Sequence, residues 1–388
     1  MRHLIAGMAL AVALSAPVGA ADKVKIGFMS TLSGPGAALG VDIRDGFNLV
    51  VTNGGGKLGG LPAEVSVVDD QQNPDVARQS VERFVKRDRV DVITGVVFSN
   101  VLLPVLPSIL DSGTIYISPN TGPEDYAGEK CNPQFFVVSW QNEDIPGAMG
   151  QKVGDSGYKN VFLIAPNYPG GRESINGFKR FYKGKIADEV YTKLGQLDYA
   201  AEIASIRAAK PDAVFFFLPG GMGINFMKQY VGAGLNKEFP LFTPGYSADE
   251  DTIKAVGESM IGLFNASQWS ADFDNAANKR FVADFQKEYG RIPTMYAAQA
   301  YDAALLLDAA IREVNGKIEN RNAFQKALRM ANFQSVRGKF KFNRNNYPIQ
   351  DYYLREVIRD SSGRITNRTA GKIFSDHVDA FAASCKMN

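Results

Sequence analysis

Residues 23–51 read KVKIGFMSTLSGPGAALGVDIRDGFNLVV. The run from Lys23 to Met29 is apolar and of strand length, the stretch from Ser33 to Gly40 is rich in glycine with one proline, and Leu39, Ile43, Phe47, Val50 and Val51 then recur at helical spacing. A strand, a loop and an amphipathic helix in that order are the opening unit of an α/β fold. The pattern repeats. Glu64–Val68 predicts a second strand, and Val76, Ala77, Val81, Phe84 and Val85 line the next helix. Further strands are predicted at Asp91–Thr94, Thr114–Ile117, Asn160–Ile164, Ala213–Phe217, Leu241–Thr243 and Ile261–Phe264, with helical stretches between them. After Ala276 the pattern is helical to about Met330, then strand-like at Lys339–Phe342 and Tyr352–Ile358. One open sheet of so many strands would be unusual, so two doubly wound sheets in two lobes are the better packing solution. A faint echo between Val90–Thr94 and Pro211–Phe215 agrees with two similar lobes.

Composition narrows the function. The 388 residues carry 43 Lys and Arg against 41 Asp and Glu, a net charge of +2 that gives no electrostatic footprint for nucleic acid. Hydrophobic residues make up 45% and charged residues 22%, the balance of a folded globular chain. Arg2 and His3, the apolar run Leu4–Leu14 and the small residues around Ala20 predict a secretory signal peptide over residues 1–20 and a periplasmic mature protein. Its removal leaves His377 as the only histidine, expected as a solvated surface residue. One histidine and two distant cysteines cannot assemble a zinc site or a convincing nucleophilic triad, so no metal and no enzyme activity are expected. In an oxidising compartment Cys131 and Cys385 are expected to pair with each other, two buried thiols being the alternative.

Few motifs carry chemistry. Gly54–Gly60 satisfies G-x-G-x-x-G but follows a helix and precedes a strand, the reverse of a dinucleotide site, and reads as a helix stop and loop. Ser33–Gly40 is better placed, with Asp69 and Asp70 ending the second strand, and is the best case for a nucleotide-dependent oxidoreductase. Pro35 removes a backbone donor from that loop, and no cofactor is expected. Gly95–Asn100 leaves a buried strand and enters a helix at Ser99, which offers a hydroxyl and neighbouring N–H groups to an anion, or merely caps its helix. Ser118–Pro123 follows the next strand and presents its amides to the same crevice, or forms an ordinary turn.

Taken together, Lys25–Met29 running into Leu32–Pro35 and Leu39-Gly40, then Val68–Asp70 with Asn73-Pro74, Gly95–Asn100 and Ile117–Pro119, resemble the periplasmic solute-binding proteins of the branched-chain amino-acid family. The resemblance runs from about Lys23 to about Ile358. It implies a type I periplasmic binding protein fold, two lobes joined by three hinge crossovers, with a small ligand closed between them for an ATP-driven membrane permease. It further implies residues 21–141 and 269–342 in lobe one, 142–268 and 343–388 in lobe two, and a monomer.

Carried over position by position, the resemblance places a carboxylate-binding serine at Ser99 and an amide-donating loop at Asn120, Thr121 and Gly122. The first loop contributes Leu39, and lobe two contributes Tyr168, Gly170, Pro219, Gly220, Gly245 and Tyr246. The acid that amino-acid binders pair with the ligand's ammonium would fall at Gly245, which has no side chain. An unpaired ammonium in a dry cleft costs roughly 3 to 5 kcal/mol. The expectation is therefore a small aromatic carboxylate, benzoate or hydroxybenzoate-like, with Phe98, Trp140, Tyr168, Phe217, Tyr246 and Trp269 as candidate walls. Branched-chain or other amino acids are the alternative, if Asp249, Glu250 or Asp251 turns into the cleft instead of decorating a helix's first turn.

Overall fold

The computed structural model describes residues 21–387; the expected signal peptide lies outside them. Six strands build the first sheet: β1 (Val24–Ser30), β2 (Lys57–Leu58), β3 (Leu61–Asp69), β4 (Val92–Thr94), β5 (Ile115–Ser118) and β6 (Phe135–Val137), in the order β2-β3-β1-β4-β5-β6. All neighbours are parallel except the β2–β3 hairpin, which the glycine-rich Gly54–Gly60 stretch forms immediately after the helix Ala37–Asn53 stops. The second sheet holds β7 (Asn160–Pro166), β8 (Lys185–Thr192), β9 (Ala213–Phe216), β10 (Leu241–Pro244), β11 (Phe264–Ser267), β12 (Lys341–Phe342), β13 (Pro348–Arg359) and β14 (Ile365–His377). Its order is β12-β13-β11-β10-β9-β7-β8, with β14 antiparallel to β13. Helices cover both faces of the parallel strands, so β1, β4, β5 and β9 are almost wholly buried and read as continuous apolar runs.

Four strands escaped the sequence reading, among them the two-residue β2 inside the Gly54–Gly60 stretch. β8 and β14 are edge strands, half-exposed and charged, with no apolar run to announce them. β6 is only three residues long. The strand expected at Ile261–Phe264 starts instead at Phe264, because Ile261 is exposed and Gly262 turns the chain with φ +88° before it pairs with β10.

The chain crosses between lobes at residues 138–143, around 268–270 and near Tyr347, where β12 already pairs with the start of β13. The Asn346 carbonyl still accepts the Val137 N–H of the first sheet, whereas Gln350 is already in β13. The first and third crossings lie side by side: Gln350 Nε2 donates to the Ser139 carbonyl at 2.7 Å, and Tyr352 Oη to Asp144 Oδ2 at 2.9 Å. Between the second and third crossings, the helices Ala276–Tyr289, Met295–Glu313 and Arg321–Met330 return to the first lobe, where Met295–Glu313 packs along Ala37–Asn53.

The tail departs from expectation. Beyond β14 it runs back to the first lobe, with Phe381 against Gly128, Asp379 accepting from Asn345 Nδ2 at 3.0 Å, and a disulfide between Cys131 and Cys385. His377 is not solvated either. Its Nε2 stands 3.2 Å from Asp144 Oδ1, and its ring stacks on Phe374 at 4.7 Å. Among the described residues no helix is long and apolar enough to cross a membrane.

Candidate functional site

The carboxyl ends of β4 and β5 and the segment 138–143 meet the second lobe around a narrow cavity that stays partly open to solvent. Crevices of this kind, beyond the strand ends of α/β sheets, are where ligands bind. The lobes touch across it. The Gly221 N–H donates to the Pro35 carbonyl at 3.0 Å, and Phe98 meets Tyr168 edge-on at 6.1 Å.

Ser99 follows β4 at the first position of the helix Ser99–Leu102, whose N-cap is Phe98. Its side chain therefore caps nothing. Ser99 Oγ is buried and accepts from Asn142 Nδ2 at 3.3 Å, keeping its own proton free for the cavity. Thr121 is 3% exposed, lines the same wall, and its Oγ1 has no hydrogen-bond partner. A buried hydroxyl without a partner costs about 1 to 3 kcal/mol, so this one is poised for a group that enters the cavity. Asn120 also lines it, but its amide is spent on scaffolding: Nδ2 donates to the Val97 carbonyl and Oδ1 accepts from Gln299 Nε2 at 2.8 Å.

The remaining wall is apolar and aromatic: Leu39, Val97, Phe98, Trp140, Tyr168, Phe217, Pro219, Tyr246 and Tyr296, with Gly170 beneath Tyr168. Trp140 and Tyr246 lie 5.3 Å apart, and Phe217 meets Tyr246 edge-on at 5.0 Å. Burial pushes the phenols of Tyr168, Tyr246 and Tyr296 well above their ordinary range, so they are neutral hydrogen-bond donors.

Across this geometry, the sequence profile of the periplasmic binding proteins matches residues 23–364. The chain belongs to the periplasmic binding protein family. This periplasmic binding protein is 26% identical over 374 residues to Leu/Ile/Val-binding protein homolog 6 of Brucella melitensis, covering 94% of this chain and 95% of that one. It is also similar to a solved solute-binding protein of an ABC transporter from R. palustris in complex with benzoate. That match has 31% identity and a TM-score of 0.89, over 94% of this chain and 99% of the other. A second, from Rhodopseudomonas palustris BisB5 in complex with 3,4-dihydroxybenzoic acid, has 27% identity and a TM-score of 0.85, over 93% and 99%. The fold is that of the type I periplasmic binding proteins. As a periplasmic binding protein the chain is the solute-binding component of an ABC transporter, which takes a small-molecule ligand and serves a membrane permease.

Four expected residues of this binding protein stand elsewhere. Gly122 does not face the cavity: a Cβ there would meet the Trp140 carbonyl at 1.9 Å, and its N–H donates to Asn142 Oδ1 at 2.8 Å. Gly220, with φ +63°, belongs to the lobe contact at Pro35. Gly245 points away from the cavity, since a Cβ there would lie 2.7 Å from Arg355 Nη2 and 2.9 Å from the Ala266 carbonyl. An acid at that position would address Arg355 rather than a ligand. Trp269 packs on Phe281 and donates to Asn278 Oδ1 at 2.7 Å. Asp249 is the N-cap of the helix Glu250–Val256 and accepts from the Thr252 N–H at 2.7 Å, while Glu250 holds Thr366 and Asn367. Neither lines the cavity, nor does Asp251.

Two polar residues were missed. Asn142 bridges the Gly122 N–H, Ser99 and Glu173, whose Oε2 accepts from its Nδ2 at 2.6 Å. Tyr296, delivered by a helix from far along the sequence, donates to the Tyr246 carbonyl at 3.3 Å.

Proposed function

We propose that this protein captures a small aromatic carboxylate, of the benzoate or hydroxybenzoate type, between its lobes. The observation that carries the reading is the unpartnered, buried Thr121 hydroxyl beside Ser99 in a cavity walled by aromatic rings. In this reading Ser99 Oγ and Thr121 Oγ1 donate to the carboxylate, each charged hydrogen bond contributing about 1.5 to 3 kcal/mol. Leu39, Phe98, Trp140, Phe217 and Tyr246 flank the ring, and the Tyr168 hydroxyl, which makes no hydrogen bond among the described residues, faces a ring substituent. The benzoate and 3,4-dihydroxybenzoic acid bound by the two R. palustris proteins support the reading.

An α-amino acid is served less well. Among the described residues no Asp or Glu lines the cavity, and the buried acid closest in the bonding network, Glu173, stands behind Asn142. Leaving the ammonium unpaired costs roughly 3 to 5 kcal/mol, a few hundred- to a few thousand-fold in affinity. We further infer export by a signal peptide at residues 1–20 and a monomer that delivers its ligand to the permease. Calorimetric titration with benzoate, 4-hydroxybenzoate and leucine tests the ligand class: tight binding of leucine with none of the aromatic acids overturns it.

A further inference from the structure

Glu173 lies on the second-lobe helix Pro169–Phe181 and is 7% exposed. Its burial is made jointly by both lobes and the crossing segment. Asn142, from that segment, donates to its Oε2 at 2.6 Å and through the same Nδ2 approaches Ser99 Oγ at 3.3 Å. The backbone N–H of Glu124, from the first lobe, also donates to the carboxylate. The charged groups around it are acidic: Glu124 on the helix Glu124–Ala127, Glu143 and Asp144 at the start of Asp144–Asp155, and Asp379 on the tail beyond Tyr347. The cation near them, Arg180, is committed to Glu143 at 2.6 Å, and His377 Nε2 stands 3.2 Å from Asp144. Tyr168 and Tyr246 close the cavity side with neutral phenols.

An ionised Glu173 in the closed protein would therefore be desolvated, repelled by Glu124 and Glu143, and one side chain away from any carboxylate seated on Ser99. Burial, and then those neighbours, push its pKa up to about 8 against the opposing bond from Asn142. We propose that ligand capture is proton-coupled, Glu173 taking up one proton from solvent as the lobes close over a carboxylate held at Ser99 and Thr121. The inference rests on the carboxylate reading of the cavity. Glu173 touches no ligand in it; it is a positioning residue that acts through Asn142, and its proton relieves a second buried negative charge beside the first.

The sign follows from linkage. With the lobes apart and Glu173 hydrated, it ionises near the ordinary glutamate value of 4.5; closed, it holds its proton up to about pH 8. Between those limits closure takes up a proton, so affinity falls as pH rises, by up to about tenfold per unit, and levels off above about pH 8. A benzoate-type carboxylate stays ionised over the upper part of this window and contributes nothing to the slope there.

The test is calorimetric titration of the mature protein with benzoate from about pH 6 to 9, in buffers of different ionisation enthalpy, alongside Glu173→Gln. Glutamine keeps an oxygen for Asn142 and fixes the side chain neutral. The expected result is uptake of nearly one proton at pH 7 in the wild type, and pH-independent, buffer-independent binding by the variant at the wild type's low-pH affinity. Flat wild-type affinity with no proton uptake overturns the coupling while leaving the carboxylate reading intact. Retention of the wild-type slope in Glu173→Gln overturns the assignment to this residue. Should the variant fail to fold, the wild-type buffer series decides alone. Failure of benzoate and its hydroxylated forms to bind at any pH overturns the carboxylate reading and this inference with it.

Discussion

Replacing Thr121 by valine separates a ligand-facing hydroxyl from a structural one. Thr121 Oγ1 is buried and bonds to nothing among the described residues, and the loop is held instead by Ser118 Oγ on the Thr121 carbonyl at 2.6 Å and by Asn142 on Gly122. Valine keeps the branched shape and removes only the hydroxyl, so the free protein loses no hydrogen bond and sheds a desolvation cost of about 1 to 3 kcal/mol. The ligand complex loses a charged hydrogen bond worth about 1.5 to 3 kcal/mol, which is roughly a 12- to 150-fold weaker Kd for benzoate. Stability and affinity should thus move in opposite directions: an unchanged or raised Tm without ligand, and a Kd weakened at least tenfold by calorimetry. A Thr121→Val protein that binds within about threefold of wild type, or that melts several degrees lower, would refute the reasoning.

Three further outcomes are expected. Asn142→Ala should lose both stability and affinity, because it strands the Gly122 N–H and Glu173; a drop of about 2 to 4 kcal/mol by chemical denaturation is the expected size. Breaking the Cys131–Cys385 disulfide by Cys385→Ala should cost about 2 to 5 kcal/mol and free the tail, seen as a lower Tm and as accelerated proteolysis beyond His377; an unchanged Tm would show that the link contributes nothing. Burial pushes Asp249 up to about 7, so its neutral form is favoured in the fold and its contribution to stability shrinks as pH rises from about 4 to 7. Asp249→Asn, which still accepts from the Thr252 N–H, should therefore raise Tm at pH 8 and have no effect near pH 4; equal effects at both would contradict this.

The residues that proved legible in the sequence share one property: their meaning is local. Ser99 and Thr121 follow apolar strands directly, and the end of a parallel strand before a helix is a crevice wherever it occurs. Trp140 and Tyr246, aromatic residues outside strands and long helices, were legible for the same reason. Asn142 and Tyr296 were not, because what brings them to the cavity is a lobe crossing and a helix that returns from a distant part of the chain. Gly245 was misread for a subtler reason. The family resemblance located its loop, but the direction of its Cα–Cβ bond depends on the turn Gly245–Ser247 packing over Arg355, which no sequence pattern encodes. The edge strands β8 and β14 stayed silent because a strand that shows water its charged face carries no apolar run. The tail's return to the first lobe depends on Cys131 and Cys385, which the sequence could pair by compartment but not place.

The most direct test of the central claim is a calorimetric titration of the purified mature protein at pH 7 with benzoate, 4-hydroxybenzoate and leucine in parallel. Saturable one-to-one binding of an aromatic acid, with leucine weaker by at least about a hundredfold, is the predicted result. Tight leucine binding without response to either aromatic acid would contradict it and return the cavity to an amino-acid receptor.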